Sequence, residues 1–83
     1  MRQVVFTRAA EKALRRIPAN TANTILSKIK QYAADPKSLA NNVKKLRGRR
    51  GLRLRVGDWR IIFDDDGTVL AILDIGPRSG IYD

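Results

Sequence analysis

The chain has 83 residues, with 17 Lys and Arg against 8 Asp and Glu, and neither histidine nor cysteine, for a net charge of +9. That length holds one small domain with one core, and the composition excludes disulfides, the usual Cys and His zinc sites, and histidine-based acid–base chemistry. No apolar run approaches the roughly 20 residues that span a bilayer, Met1–Phe6 is too short in its apolar part for a signal peptide, and the absence of thiols fits a reducing cytoplasm. The positive balance points to nucleic acid or an acidic protein as partner. No membrane is expected as a partner, since no helix opposes a strongly apolar face to a basic one.

Gln3–Phe6 is a β-branched and aromatic run and predicts a first strand. Thr7 is placed to N-cap a helix. Ala10, Ala13, Leu14 and Ile17 recur at i, i+3, i+4 and i+7, an apolar stripe. Lys12, Arg15 and Arg16 face away, and the last two suit the negative end of the helix dipole. Pro18 stops this helix or opens the turn to the next. Asn20 or Thr21 caps a second helix running to about Ala34, with Ala22, Ile25, Leu26, Ile29 and Ala33 as its buried face and Tyr32 flanking it. Asp35-Pro36 ends it, because the residue before proline disfavours the helical region. Residues 37 to 43 have little periodicity and read as a connector. Lys44 to Leu46 starts a short strand, and Gly48 and Gly51 bracket Arg49-Arg50 in a mobile basic loop.

The stretch from Leu52 to Arg60 organises the chain. Leu52, Leu54 and Val56 alternate with Arg53 and Arg55, the two-residue period of a strand with one apolar and one cationic face. Gly57-Asp58 supplies a two-residue turn and Trp59–Phe63 the return strand. In that register Arg55 faces Arg60, and two cations directly across a ladder repel. A polyanion over the sheet would turn that repulsion into attraction. A solvated arginine face is common on its own, but residues 44 to 60 carry eight cations (Lys44, Lys45, Arg47, Arg49, Arg50, Arg53, Arg55, Arg60) against one anion, Asp58. Asp64-Asp65-Asp66-Gly67 reads as a solvated turn, lacking the further ligands of a calcium loop. Thr68 to Ile75 is almost continuously apolar and predicts a central strand covered on both faces. Gly76 to Asp83 reads as a loop carrying Arg78 and Tyr82.

This order implies an α+β domain, with two N-terminal helices packed on one face of a small, mostly antiparallel four-stranded sheet. The opposite, concave face is expected to carry Arg53, Arg55 and Arg60, with Arg78 and Tyr82 brought alongside by the last strand.

The stretch Lys-Lys-Leu-Arg-Gly, then Leu-Arg-Leu-Arg-Val-Gly-Asp-Trp-Arg-Ile-Ile-Phe, and the terminal Leu-Asp-Ile-Gly-Pro-Arg-Ser-Gly-Ile-Tyr together resemble the RelE/ParE superfamily of toxins. These belong to bacterial type II toxin–antitoxin systems, and the resemblance spans essentially the whole chain. RelE-like members cleave mRNA, commonly in the ribosomal A site; ParE-like members act on DNA gyrase and cut no RNA. Neither block of residues separates the two activities.

On the RelE-like reading, the resemblance implies that Arg60 stabilises the transition state, that Arg53 and Arg55 hold the scissile phosphate, and that Arg78 braces it. Tyr82 would stack on a base, take part in proton transfer, or simply pack the tail onto the sheet. Lys44, Lys45, Arg47, Arg49 and Arg50 would bind RNA or the ribosome. Guanidinium suits this work because its planar fork matches phosphate oxygens. Some relatives carry lysine where Arg53 and Arg55 stand, and arginine stays protonated. The proton must then move through Tyr82, a lysine such as Lys45, or a ribosomal group. No cofactor or metal is implied. The partners implied are mRNA, the ribosome and a neighbour-encoded antitoxin in a hetero-oligomer. A gyrase-directed toxin and a non-catalytic nucleic-acid-binding module are the alternatives.

Overall fold

A computed structural model describes residues 1–78. Its elements run β1 (Gln3–Phe6), α1 (Arg8–Arg16), α2 (Ala19–Ala34), a 3₁₀ segment (Pro36–Asn42), β2 (Val43–Lys45), β3 (Leu52–Val56), β4 (Trp59–Asp65) and β5 (Val69–Pro77). The class is the expected α+β, but the sheet has five strands rather than four, in the order β1-β5-β4-β3-β2. Strand β1 pairs parallel to β5, with Val4 beside Leu70 and Phe6 beside Ile72. The other pairings are antiparallel.

Thr7 caps α1 as expected. Its Oγ1 accepts the Ala10 amide at 3.1 Å and donates to the Leu73 carbonyl at 2.7 Å, tying the helix start to β5. The cap expected at Asn20 or Thr21 is not there. Pro18 occupies the N-cap of α2 without a side-chain bond, and the helix starts at Ala19. Proline suits this boundary because its fixed φ is already compatible with helix entry. The expected connector is a 3₁₀ segment whose geometry breaks at Leu39, a residue buried in the core.

Both helices cover one face of the sheet. Ala10 of the first with Ile17 just beyond its end, and Ile25, Ile29 and Ala33 of the second, pack against Leu54, Ile61, Phe63, Leu70, Ile72 and Ile75. Each large aliphatic or aromatic side chain so buried contributes about 1.5–3 kcal/mol. Tyr32, expected at the flank of α2, is part of this core, with its ring edge-on to Phe63 at a centroid distance of 4.9 Å. The strand covered on both faces is β4, where Ile61, Ile62 and Phe63 are buried in succession. Strand β5, expected in that role, leaves Asp74 exposed and Ala71 and Leu73 half-covered.

Two loops depend on glycine. Gly57 has φ +58 at the first position of the β3–β4 turn, and Asp58 follows with an ordinary φ, the pattern of a II′ hairpin. Gly51, at φ +122, could not carry a side chain without meeting Leu46 Cδ1 at 3.1 Å and the Phe63 carbonyl at 3.3 Å. Its carbonyl accepts the Leu46 amide at 3.1 Å, and buried Leu46 anchors the basic loop.

The acidic turn departs from the solvated turn expected of it. Asp65 ends β4, and its Oδ1 accepts from Arg2 Nε at 2.6 Å and from the Gly67 amide at 2.9 Å. Its Oδ2 accepts from the Tyr32 hydroxyl at 3.2 Å. The carboxylate therefore joins the N-terminus, α2 and the β4–β5 turn. Burial alone would raise the Asp65 pKa, but the Gly67 amide, the Arg2 guanidinium and the Tyr32 hydroxyl together hold it below the usual carboxylate value. Burial, then the Asp65 charge and hydrogen bond, push the Tyr32 hydroxyl upward. Asp66 accepts the Val69 and Thr68 amides, which hold its pKa down.

Candidate nucleic-acid interface

Strand alternation sends Leu54 into the core and turns Arg53 and Arg55 to the other face. The hairpin returns with Trp59 packed against the core and Arg60 on the arginine side. Arg55 stands directly opposite Arg60, as the turn signal requires. Strand β2 repeats the arrangement one step outward, setting Lys44 opposite Arg53. Two pairs of like charges thus lie side by side on one face of the sheet. Ile62, opposite Arg53 on the same face, is only 1% exposed.

Arg78 reaches this face from the end of β5, where its amide donates to the Asp58 carbonyl at 2.8 Å and fixes it beside the hairpin turn. Lys44, Arg53, Arg55, Arg60 and Arg78 line one cavity of about 240 Å³, with Asn41, Asn42 and Gly57 completing it. Arg53 and Arg60 are half-buried, Arg55 and Arg78 exposed. Arg55 Nε also approaches the Gly57 carbonyl at 3.5 Å. Among the described residues, neither carboxylate nor imidazole lines the cavity, and guanidinium and ammonium donors are the groups whose charge and geometry suit an oxyanion.

The remaining cations of the basic stretch are elsewhere. Lys45, Arg49 and Arg50 border a separate cavity with Leu46, Gly51, Asp64 and Asp65, and Arg47 is exposed on the same loop. Arg50 lies 3.7 Å from Asp64 with its side chain 85% exposed, a pair of little energetic weight. Lys44 therefore joins the arginines, and the other four cations do not. Tyr82 lies outside the described residues. Asn41 and Asn42 are lining residues that the sequence did not single out; the proline before them marks a structured turn, but no periodicity points them at the sheet. Among the described residues, no three His, Cys, Asp or Glu side chains cluster as metal ligands, and no helix is long and apolar enough to cross a membrane.

Residues 4–82 match the family model described as the ParE toxin of type II toxin–antitoxin systems, parDE. The chain belongs to the ParE toxin family. No curated protein matches it in sequence. Among solved structures, this ParE-family toxin is similar to the archaeal RelE–RelB complex from Pyrococcus horikoshii, at 26% identity and TM-score 0.76 over 96% of this chain and 98% of that one. The RelBE2 complex from Mycobacterium tuberculosis aligns at 26% identity and TM-score 0.63, covering 93% and 98% of the two chains. The intact E. coli RelBE complex shares the fold at 21% identity and TM-score 0.70, over 93% and 96%. The toxin thus carries a RelE-like fold under a ParE family match.

Proposed function

We propose that this toxin is an endoribonuclease that cuts mRNA and so arrests translation, with the ribosome aligning the message. The observation that carries this reading is the cavity lined together by Arg53, Arg55, Arg60, Arg78 and Lys44. Cleavage of RNA by its own 2′-hydroxyl needs that hydroxyl deprotonated, the pentacoordinate phosphate stabilised and the leaving 5′-oxygen protonated. Preorganised positive charge serves the second need, and such charge commonly accounts for most of the rate enhancement. Arg53 and Arg55 hold the non-bridging oxygens, Arg60 strengthens its contact as charge builds on them, and Arg78 braces the same phosphate from the other side. Proton transfer falls to Lys44, to Tyr82 or to a ribosomal group; Lys45 borders the other cavity and drops from this role. Lys45, Arg47, Arg49 and Arg50 add affinity for the surrounding polyanion.

The partner that silences such a toxin is an antitoxin. The related RelE chains are found in complexes with RelB, and the net charge of +9 suits an acidic or amphipathic segment that folds on binding. A gyrase-directed toxin is the second reading, favoured by the ParE family match. Induced expression followed by primer extension on a translated message separates them. Fragments ending within codons for the wild type, and none for Arg60→Ala at equal soluble yield, support the nuclease. Growth arrest with intact messages and damaged DNA refutes it in favour of the gyrase reading.

A further inference from the structure

The arginine cavity has one wall that the phosphate chemistry leaves unused. Asn41 and Asn42 close the 3₁₀ segment and line the cavity beside the cations. Both are exposed, and among the described residues neither amide side chain has a hydrogen-bond partner. Their backbone is nonetheless held from behind. Leu39 is buried in the core, the Val43 amide donates to the Ala40 carbonyl, and Val43 pairs with Leu54.

The chemistry of the lining divides sharply. Guanidinium and ammonium groups only donate, whereas a side-chain amide both donates and accepts. Phosphate oxygens only accept, so the cations suffice for them. A nucleobase edge presents donors and acceptors together. Among the described residues, the two asparagines are the only lining side chains able to accept from an exocyclic amine. The asparagine amide matches adenine bidentately, accepting from N6 and donating to N7. Single-stranded RNA leaves those edges open.

We propose that Asn41 and Asn42 read the nucleobase adjoining the phosphate held by the arginines, with adenine as the preferred base. The inference rests on the reading of the cavity as an RNA phosphodiester site. It makes the 3₁₀ segment the specificity element and leaves the strands to hold the backbone.

The test is equilibrium binding of the full chain to a 2′-O-methyl adenine hexamer, whose blocked 2′-oxygens prevent cleavage. Adenine is replaced at each position in turn by unsubstituted purine, which keeps the ring and N7 but lacks the 6-amino group. Fluorescence anisotropy gives Kd for wild type and for the Asn41→Ala/Asn42→Ala double variant. We expect one position at which the replacement weakens wild-type binding by about fivefold or more, the lower end of what a bidentate base contact supplies. That penalty should vanish in the double variant. The penalty is a ratio within one protein, so a general loss of affinity does not produce it. No binding, no position costing more than about twofold, or a penalty that survives in the double variant overturns the proposal. Wild type that discriminates in this way yet leaves translated mRNA intact sinks the nuclease reading alone. Wild type that cuts mRNA without an amide-dependent penalty sinks this inference alone.

Discussion

Replacing Arg55 by glutamine should make the toxin more stable and a poorer ligand for nucleic acid. Arg55 and Arg60 are directly opposed across the hairpin. Opposed Cβ atoms lie about 5 Å apart, and guanidinium charges held no closer than that repel in water by at most about 0.8 kcal/mol. With a Debye length of about 8 Å at physiological salt and about 3 Å at 1 M, roughly half of that survives in the first case and a fifth in the second. Glutamine keeps a long polar side chain on the strand while removing the charge. In a domain of this size, 1 kcal/mol moves Tm by about 4–8 °C. Thermal unfolding of Arg55→Gln should therefore rise by up to about 3–6 °C at very low salt, and by at most about 1 °C at 1 M. Lys30→Gln, which removes an exposed cation on α2, is the control for net charge and should gain much less. In parallel, the dependence of log K on log salt for single-stranded RNA should flatten by about 0.7, one phosphate contact. A Tm gain independent of salt, or a loss at every salt, would refute local repulsion as a property of this hairpin.

Asp65→Asn should cost about 1–3 kcal/mol by denaturant unfolding, since it leaves the half-buried Arg2 guanidinium without its carboxylate. The Asp65 pKa is lower folded than unfolded, so its contribution is complete above the unfolded value near 4 and is lost as pH falls through the folded one. The wild-type midpoint should drop more steeply than that of Asp65→Asn below about pH 4, with the shared part coming from Asp66. Gly51→Ala should lose about 1–3 kcal/mol because its φ of +122 and the crowding by Leu46 and the Phe63 carbonyl act together, read as a fall in Tm. Thr7→Ala gives up the α1 cap and the bond to Leu73 and should cost about 1–2 kcal/mol in chemical denaturation.

What could be read from the sequence was local. The turn at Gly57-Asp58 fixes the β3–β4 register, so the opposition of Arg55 and Arg60 follows from four consecutive residues. The stripe of α1 and its Thr7 cap are equally local. What was missed depends on partners far along the chain. Asp65 looked like one of three turn acids because its partner Arg2 is 63 residues away. Strand β1 is legible as a strand from its own residues, but its parallel place beside β5 is a pairing no hairpin signal announces. The apolar run of β5 suggested burial on both faces, yet coverage is decided by neighbours, and it is β4, with Ile61, Ile62 and Phe63 buried in succession, that is covered on both sides. Asn41 and Asn42 carry no periodicity, and their approach to Arg53 follows from the pairing of β2 with β3 just after them.

The interleaved strand order has a consequence for how this toxin comes into being. Strand β5 lies between β1 and β4, so the earliest strand made finds its neighbour only after residues 69–77 have left the ribosome. Until then the helices have an incomplete sheet to rest on, and Arg78 has not joined the hairpin. Contacts between segments this distant form slowly, because their loop closure must precede the reward. A nascent chain halted before β5 therefore holds its hairpin cations without a finished cavity, and the sheet is complete only once synthesis has passed that strand.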